Sequence, residues 1–389
     1  MANKKVLIYF NEASLAPKGG PAAVCYYYQQ EQLKRGAHEF NFLPSEKQPT
    51  IQLKEKKKTL KLFSELHSLG AALKMMFVKP RKVKFDLSNY ALIHFHSADA
   101  LYQARTSLET YKGIVVLQSH SPEPRGREMF AALPKWIRIL FPVIKKGYEQ
   151  MDRYAFERAD YLVFPCPEAE DPYIHVWPYY RTIQQKQVSA YRYVLTGIPE
   201  AKAKRERKQV LRELNIPYSS FVISYVGRHN KIKGYDLFKE IGEKYINKDN
   251  DAWVICAGKE HPLKGLNHPH WKEIGWTTDP HSYIAASDVF VLPNRETYFD
   301  IIMMELLSLG RIVIASNTGG NKWFAKHKCP GVFLYDTVEE AVELLKKVRD
   351  LSKEDKEQLE EGNKTFYNNY LTVSKMYDSY VELLREILG

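Results

Sequence analysis

Short, wholly apolar runs alternate with amphipathic stretches along most of this chain, so strands and helices are expected to take turns. In the first half, residues 5–10, 91–96, 114–118 and 161–165 read as strands. Helical periodicity lies at 22–35, ending on Gly36, and at 148–159. The second half restarts the alternation, with strands at 221–226, 253–257, 289–292 and 312–315 and helices at 235–245, 282–286, 301–309 and 377–388. A strand that is apolar on every residue is expected to be covered on both faces, which predicts α/β architecture with doubly wound parallel sheets. Residues 166–196 are rich in Pro and Tyr and show no clear period; a domain link is expected near Thr196-Gly197-Ile198-Pro199.

A chain of 389 residues exceeds one ordinary core and suits two domains. Its four cysteines, Cys25, Cys166, Cys256 and Cys329, lie far apart with no C-x-x-C spacing, which suggests neither a disulfide framework nor a zinc site. A reducing cytoplasm is the expected compartment, since no signal peptide pattern opens the chain and no apolar run approaches membrane-spanning length.

Charge changes this picture. The formal net charge is +11, and residues 1–150 hold 24 Lys and Arg against 12 Asp and Glu, while the remainder holds 33 against 34. Leu62, Leu66, Leu69, Leu73 and Met76 repeat at helical spacing between Lys54, Lys56, Lys57, Lys58 and Lys61 on one side and Lys79, Arg81, Lys82 and Lys84 on the other. Residues 133–146 are similar: Trp136, Ile137, Leu140, Phe141 and Ile144 are apolar, Lys135, Arg138, Lys145 and Lys146 lie along another face, and Pro142 is placed to kink or split the helix. Each stripe could simply pack on its own domain. Two basic amphipathic helices together favour a surface that meets anionic lipid headgroups, so peripheral attachment to the inner face of the plasma membrane is expected. Nucleic acid is not expected as a partner, because no zinc finger, RNP-like strand or recognition helix is found.

The candidate chemistry concentrates in residues 288–323. Two buried strands flank an apolar helix at 301–309, with Asp300 or Thr297 placed to cap its start, so the loop 294–300 and the turn Thr318-Gly319-Gly320 should face one crevice. Glu305 sits inside Ile301-Ile302-Met303-Met304-Glu305-Leu306-Leu307. A carboxylate there needs hydrogen-bond donors, and a structural pairing with Lys or Arg is the plain alternative to a ligand role. Gly227-Arg228 and Lys233-Gly234 follow another buried strand and bring two cations to one loop, which suits a diphosphate.

Gly19-Gly20 after the first strand, His120 in Ser119-His120-Ser121-Pro122, the Gly227-Arg228…Lys233-Gly234 segment and the region Glu296 to Gly320 come in the order seen in family 4 of the retaining glycosyltransferases, and the chain resembles that family over nearly its whole length. The resemblance implies the GT-B fold, two Rossmann-like domains facing across a cleft, here an acceptor-side domain at 1–197, a nucleotide-sugar domain at 198–374 and a helix at 375–389 crossing back to the first. It implies that Arg228 and Lys233 hold the donor diphosphate and stabilise the leaving group, that Glu305 accepts from the ribose, and that His120 touches the donor sugar near its reacting carbon. Backbone N–H groups of Gly19 and Gly20, of Phe299, Asp300 and Ile301, and the Gly319-Gly320 turn would approach phosphate or sugar. Trp276 is a candidate to stack near the base, although an aromatic there is more often core.

The chain departs from the family pattern at one point. Eight residues separate Glu296 from Glu305 where the family's E-x7-E segment has seven, so Thr297 stands at the family spacing and Asp300 where Gly is common. Either Glu296 reaches the donor sugar through a shifted loop, or Thr297 and Asp300 read it. A UDP-sugar is the expected donor, no cofactor or metal is required, and Arg125 and Arg127 are candidates to grip a phosphate of a polyprenyl-diphosphate-linked acceptor, or else are solvated charge. The expected activity is retaining transfer to a glycan or lipid-linked acceptor in surface polysaccharide or glycolipid synthesis. The alternatives are transfer to a protein or soluble glycan, and a catalytically silent subunit that binds a glycan or partner.

Overall fold

The computed structural model describes residues 5–10, 15–17, 20–43, 61–83 and 86–389. Lys18, Gly19, Lys54, Lys56, Lys57, Lys58 and Lys84 lie outside them. Two compact units form, one of Met1–Pro165, Pro172–Val194 and Tyr377–Gly389, the other of Cys166–Asp171 and Leu195–Met376.

The first unit holds β1 (Val6–Tyr9), α1 (Gly20–Arg35), β2 (Phe40–Leu43), α2 (Lys61–Phe77), β3 (Leu92–Phe95), α3 (Ala98–Leu108), β4 (Ile114–Gln118), α4 (Arg125–Ala132), α5 (Lys135–Leu140), α6 (Val143–Arg158), β5 (Tyr161–Phe164), α7 (Asp171–Val176), α8 (Tyr180–Lys186) and β6 (Tyr191–Tyr193). Its strands form one sheet in the order β2-β1-β3-β4-β5-β6, every neighbouring pair parallel. Residues 166–196, which show no period, are therefore not structureless: short helices and the edge strand β6 occupy them. Gly20 is the first residue of α1. The helix expected at 148–159 begins earlier, at Val143, directly after Pro142, which separates it from α5 as a ring without an N–H should.

The second unit holds α9 (Arg207–Glu213), β7 (Phe221–Val226), α10 (Tyr235–Ile246), β8 (Ala252–Ala257), β9 (Trp271–Gly275), α11 (Pro280–Ala285), β10 (Val289–Leu292), α12 (Ile301–Ser308), β11 (Ile312–Ser316), α13 (Asn321–Lys326), β12 (Val332–Tyr335), α14 (Val338–Asp350) and α15 (Lys353–Tyr370); α16 (Val373–Leu388) follows and belongs to the first unit from Tyr377 onward. Its strand order, β12-β11-β10-β7-β8-β9, is again wholly parallel. The order reverses between β7 and β10, and crevices in open α/β sheets lie outside the carboxyl ends of strands at such reversals. Every residue of β10 is buried, as its unbroken apolar run requires.

The basic helices of the first unit divide their apolar residues. Ala72, Leu133, Ile137, Ile144 and Tyr148 form a buried cluster on which Leu69, Leu73 and Met76 pack, so that part of each stripe serves its own unit. Leu62, Phe63, Leu66 and Phe77 on α2, Ile139 and Leu140 on α5 and Val143 on α6 stay exposed. Trp136 on α5 donates to Glu65 on α2 at 2.7 Å, so the two stretches adjoin. Among the described residues no helix is long and apolar enough to cross a membrane.

The core of the first unit also contains polar rings. His94 lies on β3 and His96 one residue past its end, with ring centroids 4.3 Å apart. His94 Nδ1 lies 2.7 Å from the hydroxyl of Tyr380, whose ring stacks on Tyr28 with centroids 4.6 Å apart. Burial holds His94 down to about 3 and His96 well below the ordinary histidine value. Both are then neutral when folded and take up protons on unfolding below about pH 6.5, so the folded state loses stability as pH falls from there toward 3. The slope is about 1.4 kcal/mol per pH unit for each such ring. Urea midpoints measured at pH 7 and pH 5 should therefore fall in the wild type, and fall less in His94→Gln. Equal pH dependence in the two proteins would contradict the buried neutral state.

Candidate functional site

Three segments converge at the β7/β10 reversal of the second unit. The first, residues 227–234, leaves β7 and is tied to itself: Asn230 N–H donates to the Arg228 carbonyl at 2.8 Å, Lys233 N–H to Asn230 Oδ1 at 2.8 Å, and Tyr235 N–H to the Asn230 carbonyl at 3.1 Å. Gly234 ends it with φ +64°, and a Cβ there would stand 1.7 Å from the Pro293 carbonyl oxygen. Only glycine lets the loop lie against the end of β10 in this way.

The second segment, residues 294–300, locks onto the first. Arg295 N–H donates to the Ile232 carbonyl at 3.2 Å, and its guanidinium reaches the Lys231 carbonyl at 2.7 Å and both oxygens of Asp236 at 2.6 and 2.8 Å. Lys233 Nζ sits 3.1 Å from Asp300 Oδ1, and the same carboxylate accepts from the Asn294 amide. The third segment, the Thr318-Gly319-Gly320 turn, docks on the second through Thr318 Oγ1 to the Arg295 carbonyl at 3.3 Å and Gly320 N–H to the Thr297 carbonyl at 3.4 Å. A Cβ on Gly320 would meet the Tyr298 carbonyl oxygen at 2.1 Å.

These contacts correct several expectations. Asp300 occupies the cap position of α12, but its side chain caps nothing; it turns to Lys233, which is therefore an ion-paired cation. Thr297 does not cap either. Its hydroxyl is buried without a hydrogen-bond partner, as are Asn294 Oδ1 and Asn321 Oδ1 nearby, where Asn321 is linked to the second segment through Ser316. Unmet buried polar atoms are costly, and a cluster of them at a crevice is what a hydroxyl-rich ligand would satisfy. Phe299 packs against Phe324, centroids 5.1 Å apart, so only its backbone faces this chemistry.

Glu305 lies on α12 with its side chain a quarter exposed, and its partner is a histidine rather than Lys or Arg: His281 Nε2 on α11 is 3.5 Å from Oε2. The carboxylate holds the His281 imidazole above its ordinary value. Trp276 is 74% exposed just past the end of β9 and is not a core aromatic. Arg228 is exposed, with its backbone carbonyl taken by the Tyr225 hydroxyl at 3.1 Å.

The first unit has a separate polar pocket of about 320 Å³ lined by Gly20, His96, Asp99, Ser119, His120 and Arg125 among others. His120 Nε2 lies 2.9 Å from His96 Nδ1, the rings stacked at 13°. Its surroundings push His120 down to about 3, so it works as a neutral hydrogen-bonding ring. Arg125 and Arg127 are not unpaired cations: Arg125 bridges Asp99 at 3.2 Å and Glu128 at 3.1 Å, and Arg127 holds Glu123 at 2.8 Å. His94, His96, Asp99, Asn294, His281 and Asn321 are absent from the sequence-based site. Only the His94/His96 alternation on one strand face could have been read beforehand.

Residues 220–354 match the family described as Glycosyl transferases group 1. The chain is 26% identical over 190 residues to the UDP-Gal:alpha-D-GlcNAc-diphosphoundecaprenol alpha-1,3-galactosyltransferase of Escherichia coli, a match covering 44% of this chain and 48% of that one. It spans less than half the length of the curated relatives it matches. Among solved structures, sucrose-phosphate synthase from Thermosynechococcus elongatus matches with TM-score 0.64 at 15% identity over 99% of both chains. HepE of Anabaena, solved in complex with UDP-glucose, matches with TM-score 0.60 at 13% identity over 98% of this chain and 99% of that one. The group 1 glycosyltransferase match thus falls on the second unit, and the two parallel sheets have the GT-B fold of these glycosyltransferase structures.

Proposed function

We propose that the chain is a retaining glycosyltransferase that moves a sugar from a UDP-sugar to a glycan or polyprenyl-diphosphate-linked acceptor in surface polysaccharide or glycolipid synthesis. The observation that carries this reading is the convergence of the three segments at the β7/β10 reversal, with cationic Arg228 and Lys233 on one segment and unpartnered buried oxygens on the others. The diphosphate takes its charge compensation from Arg228, Lys233 and the N–H groups at the start of α12, which no side chain caps. Lys233 leaves or shares Asp300 to do so. Glu305 accepts from the ribose, its carboxylate steadied by His281, and Trp276 presents an exposed ring toward the base.

Thr297 and Asn294 offer their unmet oxygens to donor-sugar hydroxyls, with Glu296 beside them and the Gly319-Gly320 backbone behind. In the reaction the bond from the anomeric carbon to the diphosphate breaks, and the acceptor hydroxyl attacks the same face. Its proton passes to a donor phosphate oxygen, and UDP departs. His120, neutral beside His96, offers a hydrogen bond to a sugar hydroxyl in the first unit's own pocket near Gly20. The acceptor class is supported by the Escherichia coli relative, whose named acceptor is a diphosphoundecaprenol-linked sugar. For such an acceptor Arg125 and Arg127 would exchange carboxylate partners for phosphate, and the protein would work at the cytoplasmic face of the membrane, the exposed apolar residues of α2, α5 and α6 and the neighbouring Lys135, Arg138, Lys145 and Lys146 meeting anionic lipid.

A panel of nucleotide sugars incubated with the protein should show turnover with a UDP-sugar, and NMR of the transferred sugar should show the donor's anomeric configuration. Lys233→Ala should lower kcat on the order of 100-fold. Turnover giving an inverted product overturns the retaining mechanism; no turnover with any donor favours a silent glycan-binding subunit. Separately, vesicles containing anionic lipid should sediment the protein at low salt and release it as salt rises. Failure to sediment removes the membrane from the account.

A further inference from the structure

A second constellation sits behind the phosphate-facing segment, formed by residues from three different elements. His229 follows Arg228, Cys256 is near the end of β8, and Glu273 is on β9; one ligand-type atom from each lies within 4.8 Å of the others. His229 and Cys256 are fully buried. His229 Nε2 is 3.4 Å from Cys256 Sγ and 3.8 Å from Glu273 Oε2. We propose that these three side chains bind a divalent cation of the zinc class, fixing the segment after β7 to β8 and β9.

The two distances from His229 Nε2 are close to those around such an ion. Tetrahedral zinc with bonds of about 2.3 Å to sulfur and about 2.0–2.2 Å to nitrogen and oxygen places sulfur and nitrogen roughly 3.6 Å apart, and nitrogen and oxygen roughly 3.4 Å. Imidazole, thiolate and a single carboxylate form a soft to borderline set that selects against magnesium and calcium. The carboxylate is already aimed: Oε1 accepts from Trp271 Nε1 at 2.7 Å and from the Tyr235 hydroxyl, while Oε2 is buried with no hydrogen-bond partner. Outer hydrogen bonds of this kind orient metal-ligating groups. The His229 ring is held flat against Tyr235, centroids 3.7 Å apart at 5°. Burial and the neighbouring carboxylate push the Cys256 thiol well above its ordinary value, so a cation entering here must displace one proton from sulfur to water.

This ion is distinct from the donor diphosphate, whose charge Arg228 and Lys233 meet, and its proposal stands whether or not the chain transfers sugars. Full-length protein is stripped with a chelator, dialysed against zinc and assayed by mass spectrometry for bound metal. The expected result is one zinc per chain, and with cobalt in its place a thiolate-to-cobalt charge-transfer absorption in the near ultraviolet. Cys256→Ser should lose that absorption. Glu273→Gln, which keeps an oxygen for Tyr235 and Trp271, should keep the absorption but bind metal roughly 10- to 100-fold more weakly. Absence of stoichiometric zinc in the parent protein, or zinc affinity and cobalt absorption unchanged in both variants, overturns the proposal.

Discussion

The contact on which the second unit's site depends is the close seating of the segment after β7 on the end of β10. Gly234 makes it possible, because any side chain there would overlap the Pro293 carbonyl. Arg295 then fastens it by holding Ile232 and Lys231 through their backbones and Asp236 through its carboxylate. With these fixed, Lys233 has a short route to Asp300, and the Gly320 turn can lie on Tyr298 from the other side. A parallel sheet whose order reverses between β7 and β10 leaves the ends of those strands apart, and the interlocked segments fill that opening with N–H groups, two cations and unsatisfied oxygens. The backbone of this arrangement is fixed by these contacts, while Lys233 stays paired with Asp300.

The first unit solves a different problem, that of keeping polar rings in an apolar interior. His94, His96 and His120 form a row joined at one end to Tyr380 of the last helix and open at the other to the polar pocket. Burial keeps the two inner rings uncharged, which removes the desolvation cost of imidazolium but leaves His94 Nε2 and His96 Nε2 without partners. Arg125 at the pocket is likewise neutralised, by Asp99 and Glu128. The pocket lining is thus rich in hydrogen-bonding groups and balanced in charge, although the sequence of this half carries a large cationic excess.

Continuous apolar runs revealed the strands most completely covered, and β4, β7 and β10 have the bounds their runs suggest. The edge strands β2, β6, β9 and β12 escaped notice; three of them mix polar with apolar residues, as in Trp-Lys-Glu-Ile-Gly of β9, while β12 is a short apolar Val-Phe-Leu-Tyr. Pro142 marked a helix boundary because its effect is local. Partnerships made by the fold were invisible for the opposite reason. Nothing near Asp300 in sequence announces that its carboxylate will turn from capping to Lys233, 67 positions away, or that Glu305 will meet His281 from the preceding helix. Cysteine spacing likewise excluded a metal motif in the linear chain while the sheet brought Cys256 beside His229 and Glu273.

The most direct test of the interlocked segments as a diphosphate cradle is calorimetric titration with uridine and with UDP. Two charge-assisted contacts, each worth about 1.5 kcal/mol or more, should make UDP bind at least about 100-fold tighter than uridine. In a protein carrying both Arg228→Ala and Lys233→Ala that advantage should shrink below about tenfold while uridine affinity holds. An undiminished preference for UDP in the double variant would show that the diphosphate is held elsewhere.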